Sequence, residues 1–314
     1  DLVNAVLRNI IRNLDGIRYP EVQEDQIRHL AVIESHPLWI TKRWIDRYGF
    51  DGAKALMEAN NTIPPVSLRF NKLKGDVQVL TNFLKEHQFE FEISIYVPNF
   101  IRVQYMTAIG RSDLFRQGYF TVQDESAAFP VLLLDPQPGE RILDLCAAPG
   151  GKTTFLGELM GNRGEIVAVD RYENRLQLVV NACKRLGIEN VTTLTANAAE
   201  VELPLADKAL VDAPCSGLGV IAKKPDAKWL REPEDIPRLV EIQLGILENA
   251  AKLVKPGGVI VYSTCTIEPE ENSGVVRQFL SQHSEFSIES AGSFVHPGVV
   301  HPDGYVETLP HKHR

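Results

Sequence analysis

The sequence predicts an α/β fold built on a doubly wound parallel sheet. From residue 141 onward, short apolar runs alternate with longer amphipathic stretches, which is the pattern of strands joined by crossover helices. In addition, the stretch 141–154 joins an apolar run to a glycine turn and then to the start of a helix. In open α/β sheets a ligand commonly binds at such a junction.

The front of the chain is predicted to be helical. Apolar residues recur at spacings of three and four over 1–14, and two further helical stretches cover 39–48 and 51–58, separated at Gly49. The first helix begins abruptly, without an initiator methionine, and we expect it to be the end of a longer domain. Residues 1–61 are therefore assigned to a helical remnant and its linker.

A small α+β module is predicted after the Pro64-Pro65 pair, over residues 62–112. Its pattern is strand, helix, strand, strand, at 66–71, 77–86, 89–94 and 100–105. The remainder, 113–314, begins with a polar stretch and a short helix at 128–134. It then continues with predicted strands at 141–146, 165–170, 191–195, 208–212 and 258–264, and helices at 152–160, 172–186 and 236–254.

The glycine turn reads RILDLCAAPGGKTT, in which Gly150 and Gly151 permit a positive φ and the close approach of a ligand to the backbone. It is not a phosphate-binding P-loop, because Cys146 stands where that motif has its first glycine. Asp170 ends the next strand, about 20 residues beyond the glycines, where an acid commonly binds ribose hydroxyls. This spacing suits either a dinucleotide or S-adenosylmethionine.

The four cysteines include two that leave predicted strands at the same edge of the sheet. Cys146, Cys183, Cys215 and Cys265 form no CxxC pair, so neither a zinc site nor a disulfide framework is indicated. A single cysteine is more often a small buried apolar residue. Two of them, Cys215 and Cys265, beside a cofactor loop favour thiolate chemistry, and Asp212 can hydrogen-bond a heterocycle there.

Two polar groups are candidates for contact with a polyanion. The net charge of −8 argues against a surface that coats nucleic acid throughout, so any such contact is local. A solvated charged surface is the simpler explanation for both. The first group ends the strand at 66–71 with Arg69, Asn71, Lys72 and Lys74, and the second contains Lys223, Lys224, Lys228 and Arg231, with Trp229 among them.

Four motifs, in order, resemble those of the RNA 5-methylcytosine methyltransferases of the RsmB/Fmu type, which act on small-subunit (16S) ribosomal RNA. They are GYFTVQDESA, DLCAAPGGKTT, VDAPCSG and YSTCTIEPEEN. The likeness covers nearly the whole chain, including an opening helix similar to the last one of a NusB-like domain, otherwise mostly absent, and an RRM-like module. It implies a Rossmann-like class I methyltransferase domain, S-adenosyl-L-methionine as cofactor and RNA as partner.

The same resemblance implies roles for particular residues. Cys265 would be the nucleophile that adds to carbon 6 of cytosine, Cys215 would assist its release, and Asp212 would stabilise the adduct at ring nitrogen 3. The cofactor would be bound by Cys146, Ala147, Ala148, Pro149, Gly150, Gly151, Lys152, Asp170, Arg175, Asn197 and Asp212. Asn197 stands where the family usually has an aspartate near the adenine. We also expect the sheet to lack the antiparallel strand with which the family ends.

Other functions were weighed against this one. A dehydrogenase would need a GxGxxG loop, which AAPGGK is not. DNA cytosine methyltransferases have their nucleophile in a Pro-Cys pair such as Pro214-Cys215, but Cys265 argues against that class. The alternative is a non-catalytic RNA-binding ribosome assembly factor, with Asn197 and the shortened ends as signs of decay.

The sequence also carries expectations about where the protein works. No apolar run approaches the length of about 20 residues that crosses a membrane, and the amino terminus has no signal core. We therefore expect a cytoplasmic protein with no membrane association. With RNA as its expected partner, we also expect a monomer and no metal.

Overall fold

The computed structural model describes residues 2–104 and 109–313. These residues form two sheets with helices packed around them. Asp1 of the predicted first helix and Tyr105 of the predicted strand at 100–105 lie outside these residues. One sheet has four strands and the other has five. None of the helices in the described part of the chain is both long and apolar enough to span a membrane.

Three helices precede the first strand: α1 (Leu2–Arg12), α2 (Gln26–Ile33) and α3 (Leu38–Asn60). The short α2 was not predicted; Asp25 caps it by accepting a hydrogen bond from Arg28 N. The helix α3 bends at Gly49, whose φ is 72° and ψ is 173°, so the predicted division into two helices at this glycine agrees with the structure. Trp44 and Leu56 of α3 pack against Ile267 in the last third of the chain.

The antiparallel sheet contains β1 (Val66–Phe70), β2 (Phe91–Ile93), β3 (Phe100–Val103) and β4 (Phe120–Val122), in the order β2-β3-β1-β4. It packs on α4 (Gln78–Glu86) through Leu68, Leu80 and Leu84. The strand β4 was not predicted, and it pairs with β1, Leu68 opposite Val122. The predicted boundary at 112 therefore separates β4 from the sheet to which it is hydrogen-bonded.

The five-stranded sheet is parallel and has the order β7-β6-β5-β8-β9. The chain proceeds from β5 outward to β7, then returns to the other side of β5 with β8, and the ligand crevice of such sheets lies at this reversal. The predicted α/β doubly wound fold is confirmed. Its elements, after α5 (Asp113–Arg116), are α6 (Phe129–Leu134), β5 (Arg141–Asp144), α7 (Gly151–Leu159), β6 (Glu165–Asp170), α8 (Glu173–Leu186), β7 (Val191–Thr195), β8 (Ala206–Asp212), α9 (Ala227–Leu230), α10 (Asp235–Leu253), β9 (Val254–Ser263) and α11 (Ser273–Gln282).

Both faces of the parallel sheet are covered, which explains the continuous apolar run in the inner strand β6. Ile142 and Leu143 are neighbours in β5 and enter different cores. Ile142 packs with Phe155 of α7 and with Phe129 of α6. Leu143 packs with Ile246 of α10.

The polar end of β1 corrects a prediction, because two of its residues are buried between the sheets and not solvated. The Arg69 side chain has 0% exposure and donates to Glu158 Oε1 at 2.7 Å. Asn71 donates to the carbonyl oxygens of Gly118 at 2.9 Å and Leu186 at 2.8 Å. Lys72 and Lys74 are exposed, as predicted.

Candidate active site

The loop between β5 and α7, residues 146–152, is called the glycine loop below. Gly150 has a φ of +104°, and a Cβ built on it would lie 3.0 Å from Val179 Cα, so an L side chain is excluded there for two reasons. Gly151 differs from the prediction, since it is the first residue of α7 and does not need a positive φ. The loop is joined to the next strand by a hydrogen bond from Ala147 N to Val169 O at 2.9 Å.

Three carboxylates, Asp144, Asp170 and Asp212, stand at the carboxyl ends of β5, β6 and β8. Asp144 accepts a hydrogen bond from Thr153 Oγ1 at 2.6 Å, while its buried Oδ1 finds no partner among the described residues. Burial, with the charge of Asp212, raises the pKa of Asp144 to about 7. Burial and the same group of acids also raise the pKa of Cys146, which is therefore a thiol at neutral pH.

Asp170 lies next to the glycine loop, where the spacing in the sequence predicted an acid. Its carboxylate accepts from Ala148 N at 3.3 Å and from Tyr172 N at 3.1 Å. Arg175 lies 3.5 Å from Asp170 Oδ2 and donates to Ala148 O at 2.8 Å. Arg175 therefore bridges the loop and the acid at the rim of the candidate pocket.

Lys152 and Asp212 form the opposite wall. Lys152 Nζ lies 2.5 Å from Asp212 Oδ2, and Ser263 Oγ donates to Asp212 Oδ1 at 2.9 Å. These contacts hold the Asp212 carboxylate between the glycine loop and the end of β9. Asn197 lies at the same edge, beyond β7, with an exposed side chain whose Oδ1 accepts a hydrogen bond from Ala199 N at 3.3 Å.

Cys215 and Cys265 are brought together at the ends of β8 and β9. Their Sγ atoms are 3.2 Å apart, and Cys265 N lies 3.3 Å from Cys215 Sγ. The hydrogen bond from the Cys215 thiol lowers the pKa of Cys265, and Lys224 and Lys152 add to this effect against burial and the charge of Asp212. The same interaction raises the pKa of Cys215. Of the two thiols, Cys265 is therefore the one that ionises more readily.

A buried carboxylate that sequence reasoning did not assign joins the two cysteine loops. Glu271 has 0% exposure and accepts from Ser216 N at 2.8 Å, Ser216 Oγ at 2.5 Å and Gln243 Nε2 at 3.0 Å. Tyr262 OH, in β9, donates to Glu271 O at 2.6 Å. Because Ser216 follows Cys215 and Tyr262 precedes Cys265, Glu271 fixes one thiol relative to the other. The only signal in the sequence is the acidic run EPEE after β9.

The front helices hold the same loop from outside. Glu268 accepts from Trp44 Nε1 at 3.0 Å and from Arg43 Nε at 2.9 Å, both on α3. Asn272 Nδ2 then donates to the carbonyl oxygens of Thr266 and Glu268, each at 3.0 Å. The helical region is therefore part of the support for the nucleophile, which its local pattern did not indicate.

The basic cluster is only partly a solvated surface. Lys228 is 5% exposed, with Nζ 3.4 Å from Asn61 Oδ1, and Lys223 is paired with Asp124. Arg231 donates to Ser216 O at 3.0 Å. Lys224 and Trp229 remain exposed. In the described ranges no group of three or more His, Cys, Asp or Glu residues is arranged to hold a metal ion.

This combination of a doubly wound parallel sheet, a glycine loop at the switch point and an acid at the end of the second strand defines a Rossmann-like methyltransferase domain. Comparison with known proteins identifies the family. Residues 131–314 match the family model "16S rRNA methyltransferase RsmB/F", and residues 36–109 match the ferredoxin-like domain of the same family. The chain belongs to the RsmB/F family, as its motifs predicted.

Individual relatives agree with this assignment. The probable ribosomal RNA small subunit methyltransferase B of Bacillus subtilis is 38% identical over 98% of this chain and 70% of its own length. A methyltransferase homolog protein from Pyrococcus horikoshii is 33% identical, covers 82% of each chain and has a TM-score of 0.74. The crystal structure of PH0851 is 35% identical, covers 94% of this chain and 67% of that one, and has a TM-score of 0.86.

Proposed function

We propose that the chain transfers a methyl group from S-adenosyl-L-methionine to carbon 5 of a cytosine in RNA, through a covalent adduct with Cys265. The RNA substrate that we propose is small-subunit ribosomal RNA. The observation that carries the proposal is the distance of 3.2 Å between the sulfur atoms of Cys265 and Cys215 beside the glycine loop. The names of the relatives support the RNA substrate.

The charge of the pocket supports this cofactor over a dinucleotide. Asp144, Asp170 and Asp212 surround the glycine loop, and the unpartnered Oδ1 of Asp144 is buried there. S-adenosylmethionine carries a sulfonium and an ammonium group, whereas a dinucleotide carries a pyrophosphate that the ionised carboxylates of this site would repel. When bound, it supplies the methyl group in an electrophilic form. Asp170 would accept hydrogen bonds from the ribose hydroxyls, and the glycine loop would contact the rest.

The residues act in a defined order in this proposal. The Cys265 thiolate adds to carbon 6 of cytosine, and the π electrons of the carbon 5–carbon 6 bond move through the ring toward nitrogen 3. As nitrogen 3 takes up a proton from solvent, the carboxylate of Asp212 accepts a hydrogen bond from it, and nitrogen 3 returns the proton to solvent when the product is released. Carbon 5 is then nucleophilic and takes the methyl group.

Release requires a base that removes the proton from carbon 5, after which the C–H electrons restore the double bond and expel the Cys265 thiolate. The largest contribution to the raised pKa of Cys215 is its hydrogen bond to Cys265. Once the Cys265 sulfur is bonded to carbon, that contribution is lost. The Cys215 thiol then loses its own proton to solvent more readily, and the thiolate formed in this way can accept the proton from carbon 5. A non-catalytic assembly factor would have no use for such a pair.

The test uses tritiated S-adenosylmethionine and 16S ribosomal RNA transcribed in vitro. The wild type should label RNA at carbon 5 of a cytosine. Cys265→Ala should neither label RNA nor form an adduct that survives denaturing electrophoresis. Cys215→Ser should form the adduct but release it slowly, so the adduct accumulates. Labelling of RNA by Cys265→Ala at the wild-type rate, or normal turnover by Cys215→Ser, would refute the roles given to these cysteines.

A further inference from the structure

The segment between the two cysteines presents an exposed aromatic side chain that the mechanism above does not use. Trp229 lies on the short helix α9 and is 58% exposed, and its neighbour Leu230 is 76% exposed. A large apolar pair is costly to leave in water. Exposed aromatic residues close to a reaction centre commonly serve recognition.

Both neighbours of the pair are anchored, so the direction of Trp229 is set by the fold. On one side Lys228 is buried, with Nζ 3.4 Å from Asn61 Oδ1. On the other side Arg231 donates to Ser216 O at 3.0 Å and to Cys215 O at 3.3 Å. A side chain held in this way loses little conformational entropy when a ligand docks on it.

The segment that carries the Trp229 indole contacts the loop of Cys215, the partner of the nucleophile. Arg231, two residues after Trp229, touches the backbone of Cys215 itself. The Lys228 ammonium lies over the indole, 5.7 Å from the ring centroid, so one side of the ring faces the protein. Lys224 is exposed, and its positive charge contributes to the lowered pKa of Cys265. An aromatic surface and a cation therefore lie on the segment that contacts the backbone of Cys215, whose sulfur is 3.2 Å from that of the exposed Cys265.

These features match the chemistry of an unpaired RNA strand better than that of a protein partner. A cytosine must leave its stack to reach a thiolate, which leaves the adjoining base without a neighbour. Aromatic side chains replace the lost stacking in many single-strand complexes, and cations contact the phosphates between bases. We propose that Trp229 stacks on a base next to the target cytosine, with Lys224 at the neighbouring phosphate. This inference rests on the proposed function.

The experiment measures the KM for 16S ribosomal RNA, the kcat and the affinity for S-adenosylmethionine in Trp229→Ala and Trp229→Phe. Stacking is worth about 1–3 kcal/mol per base, so Trp229→Ala should raise the KM for RNA by about fivefold to 150-fold. Affinity for the cofactor should not change, and Trp229→Phe should keep most of the RNA affinity. Tyr19→Ala removes an aromatic residue of similar exposure, 56%, from the front of the chain and is the matched control.

A direct optical readout separates stacking from a structural role. RNA should quench tryptophan fluorescence in the wild type, and most of that quenching should be lost in Trp229→Phe at equal RNA occupancy. An unchanged KM in Trp229→Ala, with an active wild type, would overturn this inference and leave the proposed function intact. A wild type that methylates no RNA would instead refute the proposed function, and the inference with it.

Discussion

Replacing Arg69 by methionine should destabilise the chain through the charge that it leaves behind. Arg69 and Glu158 have side-chain exposures of 0% and 1%, with Nη2 and Oε1 2.7 Å apart. Removing one partner of a buried ion pair costs about 3–5 kcal/mol, since the other charge stays in a medium of low polarity. We expect a loss of that size in the free energy of unfolding, measured by urea titration at pH 8.

The pH dependence of this loss has a definite sign. Burial already raises the pKa of Glu158, and Arg69 opposes that rise. Without Arg69, the pKa of Glu158 rises further, and protonation of Glu158 at lower pH removes the unpaired charge. A carboxylate with a raised folded-state pKa destabilises the fold in full above that pKa, and this destabilisation declines as the pH falls from there toward the unfolded-state pKa. The difference between Arg69→Met and the wild type should therefore shrink as the pH falls from 8 to 5.

The matched control is the double variant Arg69→Met with Glu158→Leu. It leaves no unpaired charge, and apolar replacement of a buried pair is often neutral or stabilising. The pair is also incompletely satisfied, because Arg69 Nε and Glu158 Oε2 have no hydrogen-bond partner in the described chain. We expect the double variant to recover most of the lost stability.

Two outcomes would refute the reasoning. A loss of less than about 1 kcal/mol in Arg69→Met would mean that the Glu158 charge is not confined to the interior. A double variant less stable than the single one would mean that Arg69 acts through other contacts. Its bonds to Gly151 O at 2.7 Å and Thr154 Oγ1 at 3.0 Å are the alternatives, and a fall in cofactor affinity would report on them.

Two further predictions concern the cofactor and the thiols. Asp170→Ala should weaken binding of S-adenosylmethionine about 10-fold to 100-fold by calorimetry, as expected for the loss of hydrogen bonds to a charged group; unchanged affinity would mean that the ribose is held elsewhere. Cys215→Ala removes the hydrogen bond that lowers the pKa of Cys265, so the pH profile of Cys265 alkylation by iodoacetamide should move to higher pH, whereas Cys215→Ser should move it less. An identical profile in Cys215→Ala would show that the Cys215 thiol does not stabilise the Cys265 thiolate.

Local patterns in the sequence were sufficient for the parallel sheet and for one half of the candidate pocket. Most strands of the sheet contain a short apolar run, and the longer helices α8 and α10 have an apolar stripe of period 3.6, so both can be read from neighbouring residues. The glycine loop and Asp170 follow from the same logic, because one βα unit and the next strand set their spacing. The bend at Gly49 was also a local signal.

Side chains that connect distant parts of the chain could not be read in this way. Arg69, Glu271 and Lys228 look like surface residues by composition, yet they are buried against partners 89, 55 and 167 positions away. The strand β4 was missed for a related reason, since its three residues are too few to show a period and its assignment depends on pairing with β1.

The sequence by itself determined the layered α/β fold, the glycine loop and the presence of two cysteines at one edge of the sheet. Only the tertiary structure decided that their sulfur atoms lie 3.2 Å apart and that the pKa of Cys265 is the lower of the two. The reason is physical: a period or a spacing reports forces between residues that are neighbours in the chain. A hydrogen bond across 50 residues depends on how whole elements pack, and the pKa of each thiol depends on that packing.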